Sequence, residues 1–416
     1  MSIPGFIKTS PVVQLIICMT FLISGLIVCL LQTFTFVLWP INKDWCRIIN
    51  CKLVYLHWAQ VIWMCDYWAE VELHIHAKPG DWERIGKEHG LLTMNHKHDL
   101  DWIIAWLAAD RARILGSSKC LMKNELRYVP LIGWSFLLLE MVFVKRDFAK
   151  DKPNLIKGFQ KYGSYPLNSV TLLFCEGTRY TKAKHDKSNE FAKKQGIEPF
   201  KHHLVPRTKG FTMCIEGFKG YVPAMYDCCI GYDTDRGAMP VTSNLLQGKK
   251  MIFHCYTKRV LIEDIPNDTD EECAEYCMNM YREKDKEYDY FLQHNTFAGY
   301  NDKVVDRIIP RRKMPLVIET FWLLLLGVPS LYYMVQILLS GSTWALVSLG
   351  AVILTIYIVV RVLLRFTMTT KGSTYGSKKK PSSSNRETNQ NSIPSPTTEN
   401  NVPSSTTTGA SDKKED

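Results

Sequence analysis

Two apolar runs near the C-terminal end, Phe321 to Leu339 and Thr343 to Val360, are separated only by Ser340, Gly341 and Ser342. Each is close to the length a helix needs to cross the hydrocarbon core of a bilayer, roughly 20 residues. Backbone polar groups inside a bilayer must be satisfied within the segment, so both runs have to be helical. A link this short forces a hairpin, with both outer ends on one side of the membrane. Arg307, Arg311, Arg312 and Lys313 precede the hairpin, Arg361, Arg365 and Lys371 follow it, and the turn is uncharged. The bias of Lys and Arg toward cytoplasmic loops therefore predicts that the chain before the hairpin and the tail after it are cytosolic.

A further apolar run, Val12 to Trp39, is too long for a signal-peptide core and ends without a small-residue cleavage site. It reads as a retained membrane helix, tilted or bent where Gln14, Ser24, Gly25 and Gln32 interrupt it. Leu53 to Trp68 is rich in aromatics but carries His57, Gln60 and Asp66, too polar for a span. It reads as an interfacial helix beside the first, with a buried core helix as the alternative. From about Gly372 the chain is Ser, Thr, Asn, Pro and Lys, which cannot bury enough surface to offset ordering entropy, so disorder is expected. The terminal Lys413-Lys414-Glu415-Asp416 resembles a dilysine retrieval signal of endoplasmic reticulum membrane proteins, or is simply a charged terminus. The expected organisation is membrane and interfacial helices over 1–69, a folded domain over 70–305, the hairpin over 306–371 and a cytosolic tail over 372–416. The expected location is the endoplasmic reticulum membrane, with a multi-pass topology.

Between the membrane segments, short apolar runs alternate with amphipathic stretches. Leu91–Met94, Met141–Val144, Val170–Phe174, Val222–Tyr226 and Ile252–Tyr256 read as strands, and Asp101–Ala112 and Asp268–Tyr290 as helices. This predicts an α/β domain, a mixed sheet flanked by helices. The formal charge of +10 suits phosphate, a nucleotide or an acidic lipid surface. Nucleic acid fits the charge alone, but zinc-finger spacing, an RNA-binding aromatic signature and a coiled-coil basic region are all missing, so it is not expected as a partner. Thirteen cysteines without a C-x-x-C pair read as reduced thiols, and no metal site is expected.

The most informative block is Asn95-His96-Lys97-His98-Asp99-Leu100-Asp101-Trp102, which follows a strand and opens a helix. On one continuous helix His96 and Asp101 would point about 140° apart. They meet only if His96 sits in the entering loop and Asp101 in the first helical turn. The carboxylate then accepts from one imidazole nitrogen, and the other is free to take a proton from a hydroxyl. Spacing alone is equally served by a polar helix cap and a surface histidine. Three more polar clusters follow strands or precede a helix: Phe143-Val144-Lys145-Arg146-Asp147, Phe174-Cys175-Glu176-Gly177-Thr178-Arg179, and Leu204-Val205-Pro206-Arg207-Thr208-Lys209-Gly210-Phe211. Gly permits close backbone approach, and Arg offers a planar fork suited to phosphate. His74-x-His76 alternates as on a strand face with no third ligand in view, and reads as structural. His202-His203 reads either as a phosphate contact or as surface.

The four blocks in this order resemble the glycerolipid acyltransferase family that includes bacterial PlsC. Leu38-Trp39-Pro40-Ile41-Asn42-Lys43, Tyr128-Val129-Pro130-Leu131-Ile132-Gly133-Trp134 and the His202 to Phe211 segment resemble the gamma/delta branch of animal 1-acylglycerol-3-phosphate acyltransferases. The resemblance spans about residues 10 to 375. It implies that His96 is the general base on the acceptor hydroxyl, which attacks an acyl-CoA thioester, and that Asp101 orients His96 and stabilises its charged form. No covalent acyl-enzyme is implied. Glu176, Gly177, Thr178 and Arg179 would bind the acceptor, with Arg179 on its phosphate. Arg146 would assist with acceptor or CoA phosphate, and Pro206 would shape the acyl-CoA side. His98 and Asp99 depart from the pattern, and His98 is read as a bystander. No cofactor is implied beyond acyl-CoA as co-substrate.

Arg179 suits a terminal phosphomonoester, which makes lysophosphatidic acid the expected acceptor and phosphatidic acid the product. The same chemistry on another lysophospholipid, such as lysophosphatidylinositol, is the close alternative, and a non-catalytic lipid-binding membrane protein the more distant one. An interfacial site lets acyl chains stay in lipid while CoA and phosphates stay in water. This predicts an apolar tunnel opening toward the bilayer, partly roofed by the two N-terminal helices.

Overall fold

The computed structural model describes residues 3–144 and 148–367. Among them, eight strands form one sheet: β1 Glu72–Ala77, β2 Gly90–Met94, β3 Lys119–Lys123, β4 Val142–Val144, β5 Val170–Leu173, β6 Ala224–Tyr232, β7 Ile252–Leu261 and β8 Val305–Ile308. Their order is β4-β3-β5-β2-β6-β7-β1-β8. The five strands from β4 to β6 are parallel, β7 runs against β6, β1 follows β7, and β8 runs against β1. The described residues of the four sequence blocks named above fall at or beside the edge where the parallel strands end. β1 and β7 run the other way, so they begin at that same edge.

The sheet is covered on both faces. Strand alternation sends Cys228, Ile230 and Tyr232 of β6 into one core with Val54, Trp58 and Ile62 of the Lys43–Trp63 helix and Ile103, Ile104 and Leu107 of the Asp101–Arg111 helix. Met225 points the other way, into a second core with Phe211, Cys214 and Phe218 of the Thr208–Phe218 helix and Cys277, Met280 and Tyr281 of the Asp270–His294 helix. The expected α/β class with a mixed sheet flanked by helices is the observed one. β1, β3 and β8 are additional to the strands read from sequence. β8 is exposed throughout, and β3 carries a buried lysine, Lys119, whose ammonium lies over the Tyr165 ring at 3.8 Å and donates to Leu139 O at 2.9 Å.

Three helices among the described residues are long and apolar enough to cross a membrane, Pro11–Leu38, Met314–Leu339 and Thr343–Val362, and they associate the protein with a membrane. The hairpin turn is made at Gly341, whose φ of 65° is a left-handed conformation that glycine adopts without a steric penalty. Its first helix begins at Met314, earlier than the apolar run, with Pro315 in the first turn, and passes through a π-helical stretch, Leu323–Gly327. Pro329 follows and lacks the amide that a regular α-turn needs, and the wider turn accommodates that.

The polar residues that interrupt the first apolar helix form its contact stripe. Ser24 and Gln32 are fully buried; Gln60 Nε2 donates to Ser24 Oγ at 2.8 Å, and Gln32 Nε2 to Asn50 O at 3.4 Å. The second helix starts at Lys43, ten residues before the stretch read from sequence, because Asn42 Oδ1 caps the amides of Asp44 and Trp45 at 3.0 Å. It packs beside the first helix, and its inner face belongs to the main core. The short helix that precedes it, Gly5–Lys8, and the apolar helix itself also touch the folded body. Lys8 pairs with Glu70 at 3.0 Å, and Cys29 Sγ donates to Leu131 O at 3.5 Å.

Candidate active site

His96 lies in the loop that leaves β2, and Asp101 opens the helix that follows. His96 Nδ1 and Asp101 Oδ2 are 2.8 Å apart. Asp101 is fully buried, and the same oxygen accepts from His98 N at 2.9 Å. A carboxylate in the first helical turn also complements the helix dipole. The His96 ring stacks on Phe174 at 4.2 Å, which fixes its plane. With Nδ1 engaged, Nε2 is left for a substrate, and the side chain remains 21 % exposed.

The loop is held from three directions. Asn95 pairs with the backbone of Ile230, accepting from its amide at 2.7 Å and donating to its carbonyl at 3.1 Å. Glu176 accepts from His96 N at 2.8 Å and from Leu204 N at 3.3 Å. Tyr180 N donates to His96 O at 2.7 Å, and Arg207 N to Cys175 O at 2.7 Å. The blocks after β2 and β5 and before the Thr208–Phe218 helix are thus stitched together by main-chain bonds. Gly177 sits where they cross. Its φ of +66° is a left-handed conformation that favours glycine, and a Cβ there would meet Arg207 Cδ at 2.7 Å and push that side chain aside.

The family model for "Acyltransferase" matches residues 75–226, and that for "Acyltransferase C-terminus" residues 244–322. The 1-acyl-sn-glycerol-3-phosphate acyltransferase delta of Homo sapiens is 36% identical over 376 residues, 90% of this chain and 97% of the relative. This chain belongs to the 1-acyl-sn-glycerol-3-phosphate acyltransferase family. The gamma protein of Homo sapiens is 34% identical over 378 residues, 91% of this chain and 98% of its own. No solved structure matches.

The remaining expected site residues of the acyltransferase are placed as follows. Glu176, expected to bind the acceptor, is 1% exposed and joins two loops; burial pushes its carboxyl up to about 7. Thr178 Oγ1 accepts from Lys184 Nζ at 2.9 Å, and the same ammonium donates to Arg179 O at 2.9 Å. The Arg179 guanidinium pairs with the Asp99 carboxylate, which brings Arg179 beside the His96 loop. Pro206 is buried between Val205, whose amide donates to Ser188 Oγ at 2.9 Å, and Arg207. Arg146 lies outside the described residues.

Other residues take their partners only from the fold. The Lys97 ammonium sits between the Tyr180 and Tyr288 rings at 4.3 and 4.4 Å and donates to His202 O, clamping the His96 loop to the 202–203 segment. His203 is buried with Nδ1 2.8 Å from Asp285, and His202 Nε2 is 2.8 Å from Asp289, so both bind the Asp270–His294 helix. Tyr232, more than a hundred residues from the block it touches, donates its hydroxyl to Asp101 Oδ1. His74 and His76 do have a third imidazole beside them: His254 stacks on His74 at 4.3 Å and shares a 2.9 Å hydrogen bond with His76.

An apolar cavity lies between the sheet and the inner face of the Asp101–Arg111 helix, lined by Met94, Ile104, Ala108, Val170 and Cys228 and reaching Trp82. Its walls come from the strands and this helix. The two N-terminal helices do not line it.

Proposed function

We propose that the enzyme transfers an acyl group from acyl-CoA to the sn-2 hydroxyl of lysophosphatidic acid, giving phosphatidic acid. The observation that carries the reading is the His96–Asp101 couple at the carboxyl edge of the sheet, with Arg179 beside it. His96 Nε2 takes the proton of the acceptor hydroxyl as its oxygen bonds to the thioester carbonyl carbon. The tetrahedral intermediate collapses, the carbon–sulfur bond breaks, and the CoA sulfur leaves with the proton held on His96. Asp101, buried and unable to turn to water, stabilises the imidazolium between these steps. Arg179 exchanges Asp99 for the acceptor phosphate, a bidentate partner of greater charge. The relatives' printed acceptor, a 1-acyl-sn-glycerol-3-phosphate, supports this substrate.

The reaction belongs at the cytosolic face of the endoplasmic reticulum membrane in this reading, supported by Arg311, Arg312 and Lys313 before the hairpin. The terminal dilysine lies outside the described residues. The test is acyl transfer by detergent-purified protein, with lysophosphatidic acid and lysophosphatidylinositol compared under one acyl-CoA. Phosphatidic acid is the expected product, and His96→Ala is expected to lose about 10²- to 10⁴-fold in rate. Transfer only to the inositol lipid would overturn the acceptor, and equal rates in parent and variant would remove His96 from the chemistry.

A further inference from the structure

Asp101 is wholly enclosed, and both of its carboxylate oxygens accept from donors. Oδ2 receives His96 Nδ1 and His98 N, and Oδ1 receives the Tyr232 hydroxyl. The first two donors come from the loop that also carries the base. Tyr232 comes from the far end of β6. Its ring lies edge-on to His98 at 4.6 Å and to Phe253 at 5.3 Å. Asn95 fixes the strand itself through Ile230, two residues earlier and on the same face.

We propose that Tyr232 is a positioning residue for acyl transfer, one that sets both the orientation and the basicity of the carboxylate behind His96. It rests on the proposed role of His96 as base. The hydroxyl bond prevents Asp101 from rotating away from the imidazole. It also draws charge density toward the phenol, so less is offered to His96 and the imidazole holds its proton less tightly. The other titratable groups that act on Asp101 are His96, His98 and Lys97 from its own loop, Cys255 from β7 and Tyr288 from the Asp270–His294 helix.

Tyr232→Phe removes one oxygen and keeps the ring. It is expected to lower kcat about 3- to 10-fold, leave KM for both substrates within about twofold, and move the acidic limb of the kcat/KM profile upward by about half to one pH unit. Phe253→Leu loosens the same ring without touching the hydroxyl and is expected to leave the limb in place. Diethyl pyrocarbonate labelling of the His96 peptide, read by mass spectrometry across pH, follows the same titration without turnover. Its midpoint is expected to rise in Tyr232→Phe. An unmoved limb and an unmoved labelling midpoint overturn the proposal, whether or not kcat falls. Full activity in His96→Ala with a shifted labelling midpoint would instead overturn the assignment of the base and leave the Tyr232–Asp101 coupling standing.

Discussion

Both carboxylate oxygens of Glu176 are taken up by backbone amides, one in the His96 loop and one at Leu204. Its carboxyl is raised to about 7 chiefly by burial, so between its ordinary range and 7 the folded state holds a proton that the unfolded chain has lost. Folded-state stability from this group is therefore present at low pH and declines as pH rises toward 7. Glu176→Gln removes that titration and presents one amide donor to another. Thermal unfolding across pH 5 to 8 is expected to lose part of its slope in the variant, and kcat to fall about tenfold as the loop loosens. An unchanged slope would place the titrating group elsewhere. Glu176 was legible as a site residue from its motif, but its two partners were not, because they are main-chain atoms that no pattern of side chains encodes. Tyr232 and Lys97 were invisible for a different reason: each is one ordinary residue whose meaning comes only from what the fold brings against it.

The Asp101–Arg111 helix is fastened at both ends. Its first residue holds the base. At its last turn Arg111 donates to the buried Asp66 at 2.8 Å, while Asp110 accepts from Arg312 at 2.9 Å, just before the hairpin. Removing one member of a buried pair leaves an uncompensated charge, which costs about 3–5 kcal/mol. Arg111→Ala is accordingly expected to lower the thermal midpoint far more than Arg312→Ala, since Arg312 keeps about a quarter of its side chain in solvent. Near-equal losses in detergent would contradict this ranking. At this scale the sequence was informative. The apolar runs mark real helices, and five strands were found, although β6 and β7 run on six and five residues past the ends read from sequence. β1, β3 and β8 were not read as strands; β3 and β8 carry the charged residues that usually mark loops, Lys119 as a buried cation and β8 as an exposed edge.

For the whole molecule, the hairpin and the α/β domain were readable because each rests on a long-range composition pattern. How the first apolar helix meets that domain was not, since its polar residues look like flaws in a span until their partners are placed opposite. The Pro11–Thr35 helix has 25 residues and is about 37 Å long. Yet the body holds the chain just before it, through Lys8 at Glu70, and the helix itself toward its far end, through Cys29 at Leu131. A rod pinned twice to one object cannot deliver its far end to the opposite side of a bilayer while the object stays behind. The first helix is therefore expected to add no crossing and to keep residue 1 on the side of the domain that holds it. Tags at residue 1 and at residue 416 are expected to be digested together when only the plasma membrane is opened; protection of the first alone would show that the rod pierces the membrane. Pinned in this way, the helix lies against the domain that carries His96, and a single-chain lipid is expected to reach the base from the leaflet it already occupies.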